Sequence, residues 1–420
     1  MLPILFVIAA ASPNVVVVSV DTLRADRLGC YGYEHPTSPV IDEFASQGLL
    51  FEDCVTEVPL TAPSFGAMMS SRYPRMNGST RNGLRMPSNV PLVAEQFQKA
   101  GYETVCVTSN WTLKAGLSGL DRGFDVYDDG FRKKRWGFLK SERDGDEVTK
   151  RSLDLLKKRD TSKPLFAWFH YSDPHAPYLF HKRFNPRNVP VRKLDKEESV
   201  QARYDSEVAF TDHEISKLLR ALPSENTFVV FVADHGESLY EHDYLGHGRR
   251  IHQTGLHIPL ILKGPGIEPG RSAFPARGID IGPTLLAMAG LSAPETMLGL
   301  NLLAPPTEAA RARVIETYGG AVPGLPGAEA MMADAPPMWQ GVIRSPWKLI
   351  RNEDEDDTEL YNLVDDPREL INIAEDHPEV VGELSELIAA WSEQTDRSSE
   401  ESADLTKEDV QALKSLGYVD

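Results

Sequence analysis

The sequence is poor in cysteine and in basic residues, and each shortage argues against a class of protein. Its 420 residues include three cysteines, Cys30, Cys54 and Cys106, and none of them forms the CxxC pair of a zinc knuckle or a redox dithiol. Lysine and arginine number 44 against 62 aspartates and glutamates, a net charge of −18. Nucleic-acid binding needs a basic surface, so we expect no nucleic-acid partner and no electrostatic docking on anionic lipid.

Long apolar runs are scarce as well. The N-terminal run Leu2–Ala11 is shorter than the roughly 20 residues that span a bilayer, and no later run is long enough, so we expect no transmembrane domain. This run resembles the core of a signal peptide and ends in small residues, although it lacks a basic start. We expect residues 1–12 to be a signal peptide and the protein to be exported, to the periplasm or outside the cell. The alternative is a leader remnant or an N-terminal strand extension.

Four apolar segments share one pattern, in which a strand is followed at once by polar or ionisable residues. They are NVVVVSVDTLRAD, YETVCVTSN, KPLFAWFHYSDPH and NTFVVFVADHGES. Stretches with helical spacing lie between them, and this alternation predicts an α/β fold with a doubly wound, mostly parallel sheet. Such sheets bind ligands beyond the carboxyl ends of their strands. We therefore expect four residues to share one crevice: Asp21, His175, Asp234 and His235.

A segment rich in glycine, proline and alanine, from about Ala321 to Met338, divides the chain. We predict a main catalytic domain over residues 13–335 and a small C-terminal α+β subdomain over 336–396. In the subdomain, WQGVIRSPWKLIRN and TELYNLVDDPRE are predicted to be two antiparallel strands joined by the acidic turn EDEDD, with a helix over Pro378–Gln394. Residues 397–420 are predicted to be a polar tail with one short helix.

Asp21, Asp234 and His235 combine oxygen and nitrogen ligands of the kind that hold a divalent metal ion. Thr61 precedes Pro63, a residue type favoured in the first turn of a helix, where free N–H groups attract anions. A hydroxyl bound to a metal loses its proton more easily, so Thr61 is a candidate ligand and nucleophile. The alternative is that Thr61 is only the N-cap of that helix.

Five motifs follow one another along the chain: VVSVDTLRADRLGCYGY, PLTAPSF with SSRYPRMNGSTRNG, HYSDPHAPY, ADHGESLYEHDYLGHG and ELYNLVDDPRELINIA. Together they resemble the sulfatase family of the alkaline phosphatase superfamily, from about residue 14 to 375. The resemblance implies the fold of that superfamily and a hydrolase that acts on ester bonds. It also implies that Asp21, Asp234 and His235 are metal ligands. Thr61 stands where a sulfatase has the Cys or Ser that is converted to formylglycine.

The resemblance implies further roles around this centre. Asn82 matches an asparagine near the substrate in related phosphonate monoester and phosphodiester hydrolases. Asn110 and Thr112 fall where sulfatases carry a Lys and a His that grip the ester oxygens. His175 and His247 match groups that assist the leaving group or, as in phosphoethanolamine transferases, bind a second metal.

Three departures from the family pattern affect the chemistry. Thr22 replaces the second Asp of the usual metal pair, and Phe65 replaces the Arg beside the formylglycine. Asn110 and Thr112 replace the two cations. Formylglycine forms only from Cys or Ser, so Thr61 excludes it. Threonine nucleophiles occur in nucleotide pyrophosphatases/phosphodiesterases and in phosphoethanolamine transferases, which favours phosphoryl chemistry.

The sequence therefore predicts a metal-dependent hydrolase that cleaves sulfate or phosphate esters through Thr61 and a covalent intermediate. The ligand set suits Ca, Mg, Mn or Zn. The predicted partner is an anionic small molecule or a glycan or lipid ester. Two alternatives stay open: a phosphoethanolamine-type transferase, and a catalytically silent binding protein on the same fold.

Overall fold

In a computed structural model of the protein, the predicted apolar segments form the middle of one eight-stranded sheet. Its strands are, in chain order, β1 (Asn14–Val20), β2 (Leu49–Phe51), β3 (Glu103–Val107), β4 (Val126–Asp128), β5 (Leu165–Tyr171), β6 (Thr227–Ala233), β7 (Leu260–Lys263) and β8 (Gly270–Ser272). The order across the sheet is β8-β2-β7-β6-β1-β5-β3-β4.

The structure describes residues 12–131, 142–306, 311–319, 338–352, 357–395, 398 and 405–412, together with the backbone of 134–135, 138–139, 401–402 and 413–415. Several predicted features lie wholly or partly outside the described residues: the signal peptide, the glycine- and proline-rich segment, the acidic turn and the end of the tail.

Five strands, from β6 through β1, β5 and β3 to β4, run parallel, as the sequence predicts. The exception inside the sheet is β7, which is antiparallel to β6 and to β2. β1 lies at the centre, with Val20 opposite Ala233 of β6 on one side and Tyr171 of β5 on the other. The residues that follow these three strands therefore meet at one edge, which places Asp21 beside Asp234.

Helices cover both faces of the sheet and connect its strands. Those of the described chain are α1 (Pro39–Ser46), α2 (Thr61–Ser70), α3 (Pro74–Asn77), α4 (Val93–Lys99), α5 (Ala115–Ser118), α6 (Gly145–Lys158), α7 (Lys196–Ala221), α8 (Gln253–Leu256), α9 (Ile281–Met288), α10 (Pro378–Gln394) and α11 (Lys407–Ser415). None of the helices described is both long and apolar enough to cross a bilayer.

A second, antiparallel sheet forms the C-terminal part of the molecule, as predicted. Its strands are, in order, β9 (Arg313–Thr317), β10 (Trp339–Arg344), β11 (Trp347–Asn352) and β12 (Asp357–Asn362). The segment predicted as one strand before the acidic turn is thus a hairpin of two, β10 and β11. β9 comes from the segment assigned to the main domain, residues 13–335, yet it pairs with β10.

The small sheet is covered on both faces. One face carries Ile315, Ile343 and Ile350, which pack with Ile251 and Leu256 of the main domain. The other face packs against the apolar side of α10, with members Val314, Val342, Leu349, Leu360, Leu384 and Ile388. The sheet is therefore a middle layer between the main domain and α10.

Candidate active site

Asp21, Asp234 and His235 meet at the carboxyl ends of β1 and β6. His235 Nε2 lies 3.4 Å from Asp234 Oδ2 and 3.8 Å from Asp21 Oδ1. All three residues are fully buried, and the two carboxylate oxygens have no hydrogen-bond partner among the described residues. Two buried carboxylate oxygens that receive no hydrogen bond and lie near an imidazole nitrogen are suitable ligands for a divalent cation.

The protein holds the other oxygen of each carboxylate. Asp234 Oδ1 accepts hydrogen bonds from the backbone N–H groups of Thr22 (3.1 Å) and His235 (2.8 Å). Asp21 Oδ2 accepts one from Asn110 Nδ2 at 2.5 Å. Thr22 adopts a left-handed conformation with φ of 53° directly after β1, and this turn aims its N–H at Asp234. Each carboxylate is thus oriented, with its second oxygen directed into the cluster.

The tautomer of His235 follows from its surroundings. Its Nδ1 lies 2.8 Å from the carbonyl oxygen of Gly236, which can only accept, so Nδ1 carries the proton and Nε2 presents a lone pair. Burial lowers the pKa of His235 to about 4, which keeps the ring neutral. Gly236 has no room for a side chain, because a Cβ atom there would lie 2.1 Å from the carbonyl oxygen of Thr254.

Burial acts on the two carboxyl groups in the opposite sense. It raises the pKa of Asp21, with the charge of Asp234 adding to the effect, and it raises the pKa of Asp234 to about 7. A bound cation favours the ionised form of its ligands and would reverse both shifts. Burying both carboxylates in their ionised form therefore costs folding free energy unless a positive charge lies between them.

Thr61 is the first residue of α2, and its Oγ1 lies 3.4 Å from His235 Nε2. The N-cap position belongs to Leu60, so the helix does not use Thr61 as its N-cap residue. Instead, Asn82 accepts a hydrogen bond from the backbone N–H of Ala62 at 3.0 Å. The start of α2 is fully buried and delivers the Thr61 side chain to the metal-ligand cluster.

The predicted substrate-binding polar residues take two different positions. Asn82 Oδ1 accepts the hydrogen bond from the backbone N–H of Ala62 in α2, while its buried Nδ2 has no hydrogen-bond partner among the described residues. Thr112 donates from its backbone N–H and from its hydroxyl to Asn110 Oδ1, at 3.0 and 2.9 Å. Thr112 thus contacts Asn110, which in turn contacts Asp21.

His175 and His247 complete a row of imidazoles. The ring centroid of His247 lies 4.6 Å from that of His235 and 5.1 Å from that of His175. His247 Nδ1 lies 3.0 Å from a carboxylate oxygen of Glu237, and His175 Nδ1 lies 2.8 Å from one of Glu142.

The two imidazoles differ in charge. Burial lowers the pKa of His247 to about 4, with His235 nearby acting in the same direction. Burial also disfavours the charged form of His175, but the carboxylates of Glu142, Asp21 and Glu237 outweigh it and raise the pKa of His175. His247 is therefore neutral and His175 protonated, so one can accept a proton and the other can donate one.

The family model described as Sulfatase matches residues 13–291, more than half of the chain. The chain belongs to the sulfatase family. A second family model, described as N-sulphoglucosamine sulphohydrolase, C-terminal, matches residues 241–394. The predicted fold class, the family and the assignment to hydrolases of ester bonds are therefore confirmed.

Individual members of the sulfatase family resemble this chain over most of its length. It is 23% identical to the uncharacterized sulfatase YidJ of Escherichia coli, over 87% of this chain and 83% of that one. It is 25% identical to an arylsulfatase of Clostridium perfringens, over 69% and 77% of the two chains. The structure of BT4656, in complex with its substrate D-glucosamine-2-N,6-O-disulfate, superposes with a TM-score of 0.75 at 20% identity and covers 91% of this chain and 98% of that chain.

In this member of the sulfatase family, three residues near the site were not predicted: Glu142, His170 and Glu237. His170 lies at the end of β5, and its Nε2 is 3.8 Å from Asp21 Oδ2. Its ring packs edge-on against Phe65, the residue that replaces the family's arginine. Glu237 stands inside a quoted motif and could have been found from it. Glu142 belongs to no motif, and it joins the site through a backbone bridge to Asn110 and through its contact with His175.

Proposed function

We propose that this sulfatase-family protein is a metal-dependent hydrolase that cleaves sulfate or phosphate esters through a covalent ester on Thr61. The observation that carries the proposal is the position of Thr61 Oγ1, 3.4 Å from His235 Nε2, at the buried start of α2. Beside it lie two carboxylate oxygens that have no donor among the described residues. A hydroxyl group with a structural role alone would not require an imidazole nitrogen and two carboxylate oxygens without donors around it.

Asp21, Asp234 and His235 would hold the metal ion, with Thr61 as a further ligand. When bound, a divalent ion lowers the pKa of a neighbouring hydroxyl group and neutralises charge on a tetrahedral anion. The mixed oxygen and nitrogen ligands suit Ca, Mg, Mn or Zn.

The protein's own groups account for the proton transfers. Thr61 Oγ attacks sulfur or phosphorus and gives its proton to neutral His247, and the bond to the leaving oxygen breaks as His175 protonates that oxygen. Water then attacks the Thr61 ester, passing a proton to His175, and Thr61 regains its proton from His247. Asn82 Nδ2 donates to an oxygen of the transferred group.

Sulfate esters are the first substrate class, because the named relatives are sulfatases and one was solved with a sulfated glucosamine. Phosphate and phosphonate esters are the second class, and the nature of Thr61 favours them. Thr61 has one hydroxyl group and cannot form the hydrated aldehyde of formylglycine. Its covalent ester must be cleaved by water at sulfur or phosphorus, a step that phosphoryl-transfer enzymes with threonine nucleophiles use.

The test compares the wild-type protein with Thr61→Ala and Thr61→Ser. Each is assayed on an aryl sulfate, D-glucosamine-2-N,6-O-disulfate, a phosphate monoester, a phosphodiester and a phosphonate monoester, with and without added Mn²⁺, Zn²⁺, Mg²⁺ or Ca²⁺. We expect metal-dependent turnover that falls about a thousand-fold or more in Thr61→Ala and is retained in part by Thr61→Ser.

Three results would redirect the proposal. Turnover that survives Thr61→Ala would exclude the covalent step. Product that forms only with an added alcohol acceptor would establish the transferase. Metal binding without turnover on any substrate would leave the silent binding protein.

We also propose that the protein is exported and that residues 1–12 are removed. The expected result is a periplasmic or secreted product whose N-terminal sequence begins near Pro13. An intact N-terminus on protein from the cytoplasm would contradict this.

Limited proteolysis tests the division into domains, with cleavage expected near residue 335.

A further inference from the structure

A second group of metal-ligating side chains lies apart from the ligands of the candidate active site. Asp173, His181 and Glu207 each offer one atom, and these atoms lie within 4.8 Å of one another. Asp173 follows β5, His181 belongs to the loop after it, and Glu207 lies on α7. We refer to these three residues as the α7 cluster.

Each residue of the α7 cluster has one buried polar atom without a hydrogen-bond partner. Asp173 Oδ2, His181 Nε2 and Glu207 Oε2 are all buried and without a partner among the described residues. Glu207 is only 2% exposed. The closest approach of His181 Nε2 to Glu207 is 3.9 Å, which is too long for a hydrogen bond. Leaving three polar atoms in this state costs folding free energy unless a ligand satisfies them.

One turn of α7 fixes the positions of the ligands. Glu207 Oε1 accepts a hydrogen bond of 2.6 Å from the backbone N–H of Leu179 and lies 3.9 Å from His181 Nε2, while Glu207 Oε2 has no hydrogen-bond partner among the described residues. Ser206 Oγ accepts one of 3.1 Å from the backbone N–H of His181. The loop that carries His181 is therefore attached to α7 at two adjacent residues.

The following turn of α7 orients the other two groups. Phe210 stacks on the His181 ring, with centroids 4.2 Å apart and planes within 9°. Thr211 donates from its hydroxyl to the backbone carbonyl of Asp173 at 3.0 Å. The ligands are thus held before any ion binds, as a metal site requires.

The surroundings of the cluster are acidic. Burial raises the pKa of Asp173 to about 8, and the charges of Asp144 and Glu142 act in the same direction. Burial and the charge of Asp173 also raise the pKa of Glu207.

We propose that the α7 cluster is a second metal site, which binds a divalent cation through one imidazole nitrogen and two carboxylate oxygens. This ligand set suits Zn²⁺ or Mn²⁺ better than Ca²⁺ or Mg²⁺, which prefer oxygen alone. His175 lies two residues after Asp173, so an ion here stabilises the loop that carries His175. The proposal does not depend on the reaction at Thr61, because it uses none of the same ligands.

The experiment counts bound ions and does not use activity. Purified full-length protein is stripped with a chelator, equilibrated with Mn²⁺ or Zn²⁺ in separate samples, desalted and analysed by elemental mass spectrometry. We expect two ions per chain in the wild type, one in Glu207→Gln and one in Asp234→Asn, which removes a ligand of the other site. The double variant is expected to bind none.

Two further variants separate loss of the site from loss of the fold. His181→Gln changes a partly exposed ligand and is expected to bind one ion, as Glu207→Gln does. Glu214→Gln makes the same chemical change on α7 at a buried residue paired with Lys217, and it is expected to keep two. A count that stays at the wild-type value in both Glu207→Gln and His181→Gln would overturn the proposal, whereas a single wild-type ion that both variants lose would show that the α7 cluster alone is occupied.

Discussion

Phe65 shows how a single residue changes the charge balance of the site. Its ring lies 4.9 Å from Trp168 and 5.0 Å from His170, and all three side chains are fully buried. Burial lowers the pKa of His170 to about 3, so this imidazole carries no charge. An apolar ring and a neutral imidazole thus occupy the place implied for an arginine, and neither of them supplies a positive charge to Asp21 and Asp234.

Asn110 is expected to control metal affinity through Asp21. Its Nδ2 donates to Asp21 Oδ2 at 2.5 Å, so Asn110→Ala removes the contact that orients a ligand. We expect metal affinity to fall about 10- to 100-fold, as for other residues that orient metal ligands. Titration calorimetry with Mn²⁺ measures the change, and equal affinities would contradict it.

Thr112 offers a second test of the same arrangement, since its hydroxyl group donates to Asn110 Oδ1. Thr112→Val is expected to weaken metal binding in the same direction as Asn110→Ala, and by less. If it instead raises KM and leaves metal affinity unchanged, Thr112 contacts the substrate, as the resemblance implies.

Glu57 is expected to make folding stability depend on pH. Burial raises its pKa to about 7, against 4.5 for an ordinary glutamate. The folded protein retains this proton where the unfolded chain has lost it, so the contribution is complete below pH 4.5 and is lost as the pH rises through 7. The difference corresponds to about 3 kcal/mol.

Glu57→Gln removes that titration. The variant is expected to gain stability relative to the wild type as the pH rises from about 4.5 to about 8, measured by urea unfolding at several pH values. Glu268→Gln, an exposed change of the same type, serves as the control. Parallel profiles for wild type and Glu57→Gln would contradict the prediction.

At the scale of elements, the strands that lead to the candidate metal ligands were the easiest to predict. β1, β5 and β6 are seven-residue apolar segments, and each residue of β5 is buried. Continuous apolar runs of this length indicate strands that are covered on both faces of the sheet. The polar residues that follow them indicate the edge of the sheet at which ligands bind. This pattern alone predicts that Asp21, His175, Asp234 and His235 lie at that edge.

Short strands and the direction of strand pairing are harder to predict from the sequence. β7 has four residues, and nothing in LILK indicates that it runs antiparallel to β6. The hairpin of β10 and β11 was predicted as one strand because Ser345 and Pro346 form a turn of only two residues. Glu142 and His170 were missed for a related reason, since only tertiary structure brings them to Asp21 and His175.

The contact of α10 with the small sheet makes a testable contribution to stability. Leu384 is 2% exposed and belongs to the apolar cluster between α10 and the sheet. Leu384→Ala is expected to cost about 2–5 kcal/mol, because it leaves a cavity in that cluster. Urea unfolding measures the change. Leu370→Ala, at a residue 62% exposed, is expected to cost less than about 0.5 kcal/mol, and equal costs would contradict the assignment.

At the scale of the whole molecule, the net charge of −18 opposes the approach of an anionic substrate. Salt screens this repulsion, since the Debye length falls from about 30 Å at 0.01 M to about 8 Å at 0.15 M. We therefore expect kcat/KM to rise several-fold between these salt concentrations, with kcat nearly constant. A falling profile would show that local positive charge around the site outweighs the charge of the molecule.

The central position of β1 has a consequence for synthesis of the chain. β1 leaves the ribosome before both of its neighbours, β5 and β6, and the hydrogen bond from Thr22 to Asp234 spans 212 positions. At a translation rate of about 5–20 residues per second, β1 waits roughly 10 to 40 s for its last neighbour. Until then its valines have no native partner on that side, and Asp21 cannot meet Asp234 and His235 until the last of these strands has been made.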